Sequence, residues 1–190
     1  VDVGGIFAAG ASIAEITVGP SQVTSATVGN NVDIGKLHTV RDLIVEANSN
    51  IDVKTYSLGV AAGSGISGAG AVSKSIVAPD INASIGTGAD INLSNDLEVN
   101  AVSQSKTESE ALGVTVSGGL GVGVSITWAK IEEDVTATIG ASAGSITADR
   151  DIKVRALHNF NKTGSEIANK KAFARGTASG GSAGASGNGI

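Results

Sequence analysis

Three segments of the sequence align with one another without gaps and lie at nearly constant spacing. RDLIVEANSN begins at Arg41, NDLEVNAVSQ at Asn95 and RDIKVRALHN at Arg150, so their starts are 54 and 55 residues apart. A second set precedes them, namely SATVG ending at Gly29, NASIG ending at Gly86 and TATIG ending at Gly140. Self-similarity at a fixed period is typical of folds in which successive units stack on one another. The chain is therefore predicted to consist of repeated units.

Each of these segments alternates in the manner of a β-strand. In the segment that contains residues 152–156, Ile152, Val154 and Ala156 share one parity, while Lys153 and Arg155 share the other. The earlier units keep the apolar parity as Leu, Val and Ala and vary the intervening residues. A period of two with one constant apolar face indicates strands that have a core face and a solvated face.

Stacked units of this kind predict an all-β fold, and specifically a β-helix (β-solenoid) of imperfect units of about 54 residues. Three coils of roughly 18 residues would fit one unit. A β-sandwich or an antiparallel meander is the alternative, because the longest strand-like run exceeds the usual solenoid strand. We expect one repeat-built domain over residues 1–190, cut from a longer chain. Its units are placed at about 1–53, 54–107 and 108–168, with a partial unit at 169–190.

A third set of segments opens the units: FAAGAS at Phe7, LGVAAGSG at Leu58 and LGVTVSGG at Leu112. The last of these lies in ALGVTVSGGLGVGVSITWAK, residues 111–130, where every bulky apolar residue is even-numbered and the odd positions are mostly Gly, Ser, Thr and Ala. The bulky parity is predicted to line a core and the small parity to form a nearly featureless surface. Glycine weakens a strand interior by about 0.5–1 kcal/mol relative to Ala, so its recurrence implies that something approaches closely.

Composition excludes several classes of function. The 27 Gly, five aromatic residues, and absence of Cys and Met are unlike a packed helical domain, a disulfide scaffold or a thiolate enzyme. A formal charge of −5 argues against a nucleic-acid partner, because phosphate contacts need clustered Lys and Arg. The uncharged stretch 113–129 is long enough to suggest a membrane span, but its glycines and two-residue period predict a strand rather than a transmembrane helix.

Several motifs suggest chemistry, and each has a simpler explanation. Residues 63–68 match G-x-G-x-x-G, but a strand-like segment follows where a nucleotide-binding helix would be needed. The acidic cluster 132–134 has no counterpart in the other units and is interpreted as a solvated turn. His38 and His158 lack metal-ligand spacing, and Tyr56 and Trp128 are too few for a sugar-binding platform. We therefore predict no enzyme, and no catalytic, cofactor-binding or metal-binding residues.

One segment interrupts the pattern. TGSEIANKKAFA, residues 163–174, makes the third unit longer than the others and contains good helix formers after a Thr or Ser that could cap a helix. A short helix or a projecting loop is predicted there. Its Lys170 and Lys171, with Arg175, form a basic patch that is interpreted as part of a packing insertion, with a partner site as the alternative.

The runs VTATIGASAGSITADRDIKVRA and INASIGTGADINLSNDLEVNA resemble repeats of very large secreted bacterial proteins, the filamentous-haemagglutinin-like adhesins, including leukotoxin-type filamentous adhesins. The resemblance covers nearly the whole chain from about Phe7. It implies a β-helical shaft segment that is secreted or displayed at the bacterial cell surface. The implied partners are neighbouring repeats of the parent chain and an unidentified receptor on host cells or other surfaces.

Other functions remain open at this stage. A toxin segment that acts on host membranes is the main alternative, because alternating large and small residues could form inserted hairpins. A polysaccharide- or ice-binding surface is a further alternative, for which Thr136 and Thr138 form the one regular threonine pair.

Overall fold

The structure is a computed structural model that describes residues 2–3, 5–140 and 144–182, with side chains for residues 5–140 and 144–180. Residues 183–190, the end of the predicted partial unit, lie outside the described residues. The described chain contains strands, turns and no helix. The strands are β1 (Asp2–Val3), β2 (Phe7–Val18), β3 (Val23–Val28), β4 (Asp33–Ile34), β5 (Leu43–Gly63), β6 (Ile66–Val77), β7 (Asp80–Ile85), β8 (Asp90–Leu93), β9 (Leu97–Ser117), β10 (Leu120–Ile131), β11 (Asp134–Ile139), β12 (Ile146–Ala148), β13 (Ile152–His158) and β14 (Ala172–Ser182).

The strands form four sheets, and every strand pair within them is parallel. The long sheet contains β1, β5, β9, β13 and β14; the facing sheet contains β2, β6 and β10. The third sheet contains β3, β7 and β11, and the fourth sheet contains β4, β8 and β12. The prediction of an all-β protein is confirmed, and purely parallel pairing is not what an antiparallel meander would give. Three successive structural repeats, β2–β5, β6–β9 and β10–β14, each supply strands to all four sheets in the same order.

Strand pairing joins residues that are one whole unit apart. Val45 pairs with Val99 and Val99 pairs with Val154, at separations of 54 and 55 residues. The prediction of three 18-residue coils per unit was wrong. Strands as long as 21 and 12 residues take up so much of a unit that each of the first two repeats supplies only one strand to each sheet. The predicted unit boundaries at 53/54 and 107/108 fall inside β5 and β9.

The placement of Phe7 in the third set of repeats was also wrong. Phe7 pairs with Ile66, which pairs with Leu120, all in the facing sheet. Leu58 and Leu112 pair with each other in the long sheet instead. The error has a physical origin. Where the long sheet packs on the facing sheet, the strands of both sheets alternate small inward residues with larger outward ones. The segment FAAGAS therefore fits a strand of either sheet.

An aliphatic core fills the space between the first half of the long sheet and the third and fourth sheets. Leu97 and Val99 on β9 are fully buried, as are Ile81 and Ile85 on β7. Equivalent positions of the three repeats lie side by side, as the alternation in the sequence predicts. Val154 is 44% exposed, because no described strand lies on the far side of β13.

The second half of the long sheet packs on the facing sheet with small and polar residues between them. Ser73 Oγ donates to Thr55 Oγ1 at 2.8 Å, and Ser109 Oγ donates to Ser73 Oγ at 2.9 Å. Turns at residues 64–65 and 118–119 carry the chain from the long sheet into the facing sheet. We call this two-layered region, residues 7–18, 51–77, 105–131 and 172–182, the flange.

The flange reverses the orientation that was predicted for residues 111–128. The small parity faces inward and is buried at Ala111, Thr115 and Ser117, whereas the bulky parity lies on the outer faces. The cause is the close approach of the two sheets: a Cβ atom at Gly59 would lie 2.1 Å from the carbonyl oxygen of Gly70. Backbone this near leaves no room for large inward side chains. The inference that something approaches the glycine parity was sound, and the opposing sheet is what approaches.

The third repeat contains an insertion, residues 159–171, between β13 and β14. Both of these strands pair with β9, where only residues 104–106 separate the matching positions. Of the two predicted alternatives, a short helix or a loop, the structure has the loop, with a turn closed by Asn161. Its side-chain Oδ1 accepts hydrogen bonds from the backbone N–H groups of Thr163 and Ser165 at 3.0 and 2.9 Å.

Candidate functional site

Aspartates at one corner link consecutive repeats. The backbone N–H of Asp96 donates to Asp42 Oδ1 at 3.2 Å, and that of Asp151 donates to Asp96 Oδ1 at 3.1 Å. The side-chain amide of Asn95 also donates to Asp42 Oδ1, at 2.6 Å. The bond from Asn95 is the largest cause, and the bond from the Asp96 backbone the second, of a pKa of Asp42 that lies below its usual value near 3.8. The corner aspartates therefore satisfy backbone donors of the next repeat and do not form an open acidic site.

Charged side chains on the outer face of the long sheet also pair across or along strands. Lys106 Nζ lies 2.6 Å from Glu108 Oε1, and Lys54 Nζ lies 3.5 Å from Glu108 Oε2. The hydrogen bond from Lys106 lowers the pKa of Glu108, and the same bond raises the pKa of Lys106. Glu108 is thus a paired carboxylate, with the opposite perturbation to that of a catalytic acid.

The acidic cluster 132–134 is divided among three different environments. Glu132 forms an ion pair with Lys130 at 2.5 Å, and Asp134 accepts a hydrogen bond from Thr136 Oγ1 at 3.1 Å. Glu133 points into the interior, where its side chain is fully buried. The interpretation of the whole cluster as a solvated turn was wrong for Glu133, because the neighbouring long sheet supplies polar partners for its carboxylate.

Glu133, Ser103, Ser105 and His158 form a polar cluster beside the insertion. The two serine hydroxyls donate to the two carboxylate oxygens of Glu133, and His158 Nδ1 lies 3.0 Å from Oε2. His158 Nε2 lies 3.3 Å from Asn159 Nδ2. Neither serine is bonded to the imidazole, so the cluster lacks the nucleophile–base pair of a serine hydrolase. We interpret its role as structural.

This cluster had no signal in the sequence. Asp134 pairs with Asp80 and Asp80 with Val23, so Glu133 occupies the position of Pro79 and Gln22 in the other repeats. A residue without a counterpart gives no periodic pattern. The partners of Glu133, Ser103 and Ser105, lie on β9 beside the point where the insertion separates β13 from β14.

Two basic residues of the insertion bind acidic residues of the first repeat. Lys162 Nζ donates to Glu46 Oε2, and Lys170 Nζ lies 2.6 Å from Asp52 Oδ1. The loop therefore folds back across the outer face of the long sheet, where Asn100 and Val102 are buried. The predicted packing insertion is confirmed. Lys170 is largely buried in its ion pair, so the basic patch is not a continuous free surface.

The remaining motifs lie apart from one another. Residues 63–68 form the turn from β5 into β6, and the strand that follows excludes the nucleotide-binding geometry. His38 lies in the loop between β4 and β5, beside a shallow depression. Thr138 extends a column of hydroxyl-bearing residues on the third sheet, through its partner Ser84 to Thr27. Tyr56 and Trp128 are outward-facing on opposite sides of the flange, so they form no common platform.

The outer face of the facing sheet exposes several large apolar side chains. Trp128 on β10 is 55% exposed, and Ile13 on β2 is 77% exposed. Exposed apolar patches of this kind mark interaction surfaces. The face is lined by three rows of outward residues, one from each repeat: Phe7, Ala9, Ala11, Ile13; Ile66, Gly68, Gly70, Val72; and Leu120, Val122, Val124, Ile126, Trp128.

Among the described residues, no group of three His, Asp or Glu side chains is placed to hold a metal ion. The described part of the chain also has no helix whose length and apolar character would let it cross a membrane. A scan against protein-family models, a search of curated proteins and a search of solved structures each returned no match.

Proposed function

We propose that this chain is a segment of a β-solenoid shaft from an exported bacterial surface protein that mediates attachment to host cells or other surfaces. One observation carries the architectural part: equivalent residues pair in register from repeat to repeat, as at Val45, Val99 and Val154. Four parallel sheets visited in the same order in each repeat are what a solenoid requires. The role is structural and adhesive rather than catalytic.

Three further features support the proposal. The resemblance to filamentous-haemagglutinin-like adhesins implies an elongated shaft that displays binding regions. Carboxylates such as Asp42 and Glu108 are engaged in bonds between or along repeats, so they serve cohesion of the stack. The outer face of the facing sheet presents exposed apolar side chains that are suited to contact with another surface.

Addition of a repeat tests the architecture. In a chain with residues 43–96 duplicated in tandem, the new strands keep the register, because Leu43 pairs with Leu97. A solenoid gains the intrinsic stability of the added repeat and one more interface, so the urea midpoint is expected to rise. A duplicated chain that unfolds at the same or a lower urea concentration would contradict the solenoid.

Cell binding tests the adhesive part. Fluorescently labelled chain is expected to bind cultured epithelial cells saturably, and an excess of unlabelled chain is expected to displace it. The same chain unfolded in urea and diluted immediately before the assay is the control. Absence of saturable binding would restrict the proposal to a shaft without a receptor site.

A membrane-acting segment is the second candidate function, and the flange is the observation that favours it. The outer face of its facing sheet carries exposed apolar side chains such as Ile13 and Trp128, and its interior contains many small and polar residues, an arrangement that suits contact with lipid better than burial in a protein core. Leakage of a dye from phosphatidylcholine–phosphatidylserine vesicles at micromolar chain concentration would support this function. Intact vesicles would exclude it.

A further inference from the structure

The insertion reaches across one strand of the long sheet to contact the strand beyond it. It leaves the sheet after β13, and the strand order β5–β9–β13 puts β9 between the insertion and β5. Lys162 Nζ nevertheless donates to Glu46 Oε2 on β5. Lys170 Nζ donates to Asn50 Oδ1 at 2.7 Å and to Asp52 Oδ1 at 2.6 Å, also on β5. The third repeat therefore contacts the first directly, over sequence separations of 116 to 120 residues.

The strand that the insertion crosses is covered by it. Asn100 and Val102 lie on the outward parity of β9, and their exposed fractions are 0% and 3%. Glu98 and Gln104, the outward residues on either side of them, are only partly buried. Burial at these two outward positions means that the insertion packs on β9 as well as bonding to β5.

Hydrogen bonds within the insertion hold it in a defined shape. Asn161 N donates to Ser165 O at 2.9 Å. Ile167 N donates to Asn159 O at 2.8 Å. The two ends of the insertion are joined by Asn159 Nδ2, which donates to Lys170 O at 3.0 Å. A loop that is already closed loses little further conformational entropy when its lysines bind, so more of the free energy of the ion pairs remains to link the two repeats.

The third repeat is weakly buried on its open side. In the described chain, β13 has a strand neighbour on one side only. Its inward residues Ile152 and Val154 are 48% and 44% exposed. The equivalent residues of the second repeat, Leu97 and Val99, are fully buried. In a stack whose repeats contact only their nearest neighbours, a repeat with so little buried apolar surface opens first.

We propose that the insertion is a strap that couples the third repeat directly to the first, so that opening of β13 requires loss of the contacts to β5. The coupling bypasses the second repeat, which distinguishes it from the nearest-neighbour contacts of an ordinary solenoid. Lys170 contributes most, because its side chain is only 13% exposed and salt screens a partly buried pair less than a fully exposed one. Such coupling acts in the stack whether or not the chain mediates attachment.

Hydrogen exchange of the whole chain, followed by NMR, tests the strap through substitutions on β5 alone. In the double variant Glu46→Gln/Asp52→Asn, the amides of β13 and of the insertion are expected to exchange about fivefold faster than in the wild type. The amides of β5 that bond to β9 are expected to change by less than about twofold. Glu15→Gln is the matched control, because Glu15 also forms an ion pair from the first repeat, at 2.6 Å, but with Lys74 of the second repeat. It is expected to leave exchange in β13 unchanged.

The reciprocal variant removes the same two ion pairs from the third repeat. Lys162→Met/Lys170→Met keeps most of the apolar stem of each side chain and is expected to speed exchange in β13 by a similar factor. Combining all four substitutions is expected to give little further rise, because both double variants break the same contacts. Unchanged exchange of β13 in either double variant would overturn the proposal. An equal rise in β5 and β13 would also overturn it, because the loosening would then have spread through the second repeat.

Discussion

Leu58 and Gly59 are neighbours on β5, and one faces outward from the flange while the other faces its interior. Substitutions at the two positions distinguish a flange with its small residues inside from one with its bulky residues inside. Leu58 lies on the outer face and is 44% exposed, whereas Gly59 is buried against β6. If the bulky parity lined the core, Leu58→Ala would cost about 2–5 kcal/mol. Gly59→Ala would then be neutral or would stabilise the chain by about 0.5–1 kcal/mol.

The structure predicts the reverse order. The Cβ atom that Gly59→Ala introduces would lie 2.1 Å from the Gly70 carbonyl oxygen, where ordinary contact begins at 3.4 Å. The sheets would have to separate by more than 1 Å, and the obstacle is backbone held in a ladder. We therefore expect a loss near the upper end of the usual cost of overpacking, about 3 kcal/mol. Leu58→Ala loses only the buried half of a side chain, about 1 kcal/mol.

Urea unfolding followed by circular dichroism measures both losses, and an unchanged m-value would show that each variant unfolds from the same fold. In thermal melts of a chain of this size, the losses correspond to about 6–12 °C for Gly59→Ala and about 2–4 °C for Leu58→Ala. A stabilising effect of Gly59→Ala, or a larger loss for Leu58→Ala than for Gly59→Ala, would refute the inward placement of the small residues.

Three further predictions concern polar contacts. The folded-state pKa of Asp42 is lowered, so its contribution to stability is present above its usual pKa near 3.8 and is lost as pH falls through the lowered value. Melting temperature should therefore fall less steeply below about pH 4 in Asp42→Asn than in the wild type. Glu133→Ala leaves the hydroxyls of Ser103 and Ser105 without their acceptor and is expected to cost about 2–4 kcal/mol in urea unfolding, with a smaller loss for Glu133→Gln. Asn159, at φ 57°, accepts from Ser105 N at 2.7 Å and donates to Ser105 O at 3.2 Å. Asn159→Gly is expected to lower the free energy of unfolding by about 1–3 kcal/mol and to speed hydrogen exchange at Ser105. Asn159→Ala is expected to cost about 1 kcal/mol more, from backbone strain at the positive φ. Equal exchange at Ser105 in the wild type and Asn159→Gly would contradict this role.

The spacing and alternation of the sequence determined the repeats, the all-β class and the residues that share the aliphatic core. Equivalent segments at 54 and 55 residues lie side by side in the structure, and Leu97, Val99 and Ala101 are buried as their constant apolar parity predicts. These features follow from local periodicity. Each strand must present one apolar face, and similar units bury it in the same way.

Only the tertiary structure decided which face of the flange is inward, how many strands a unit contains, and what Glu133 and Asn159 contact. Alternation distinguishes two faces of a strand but does not say which one meets another sheet, and at Gly59 the decision came from the distance between two backbones. Likewise, Glu133 acquired its partners from β9 and β13, at positions 25–30 residues away that no repeat connects to it. The physical reason is that periodicity is a property of neighbours along the chain, whereas sheet separation and polar contacts are properties of segments that meet only after folding.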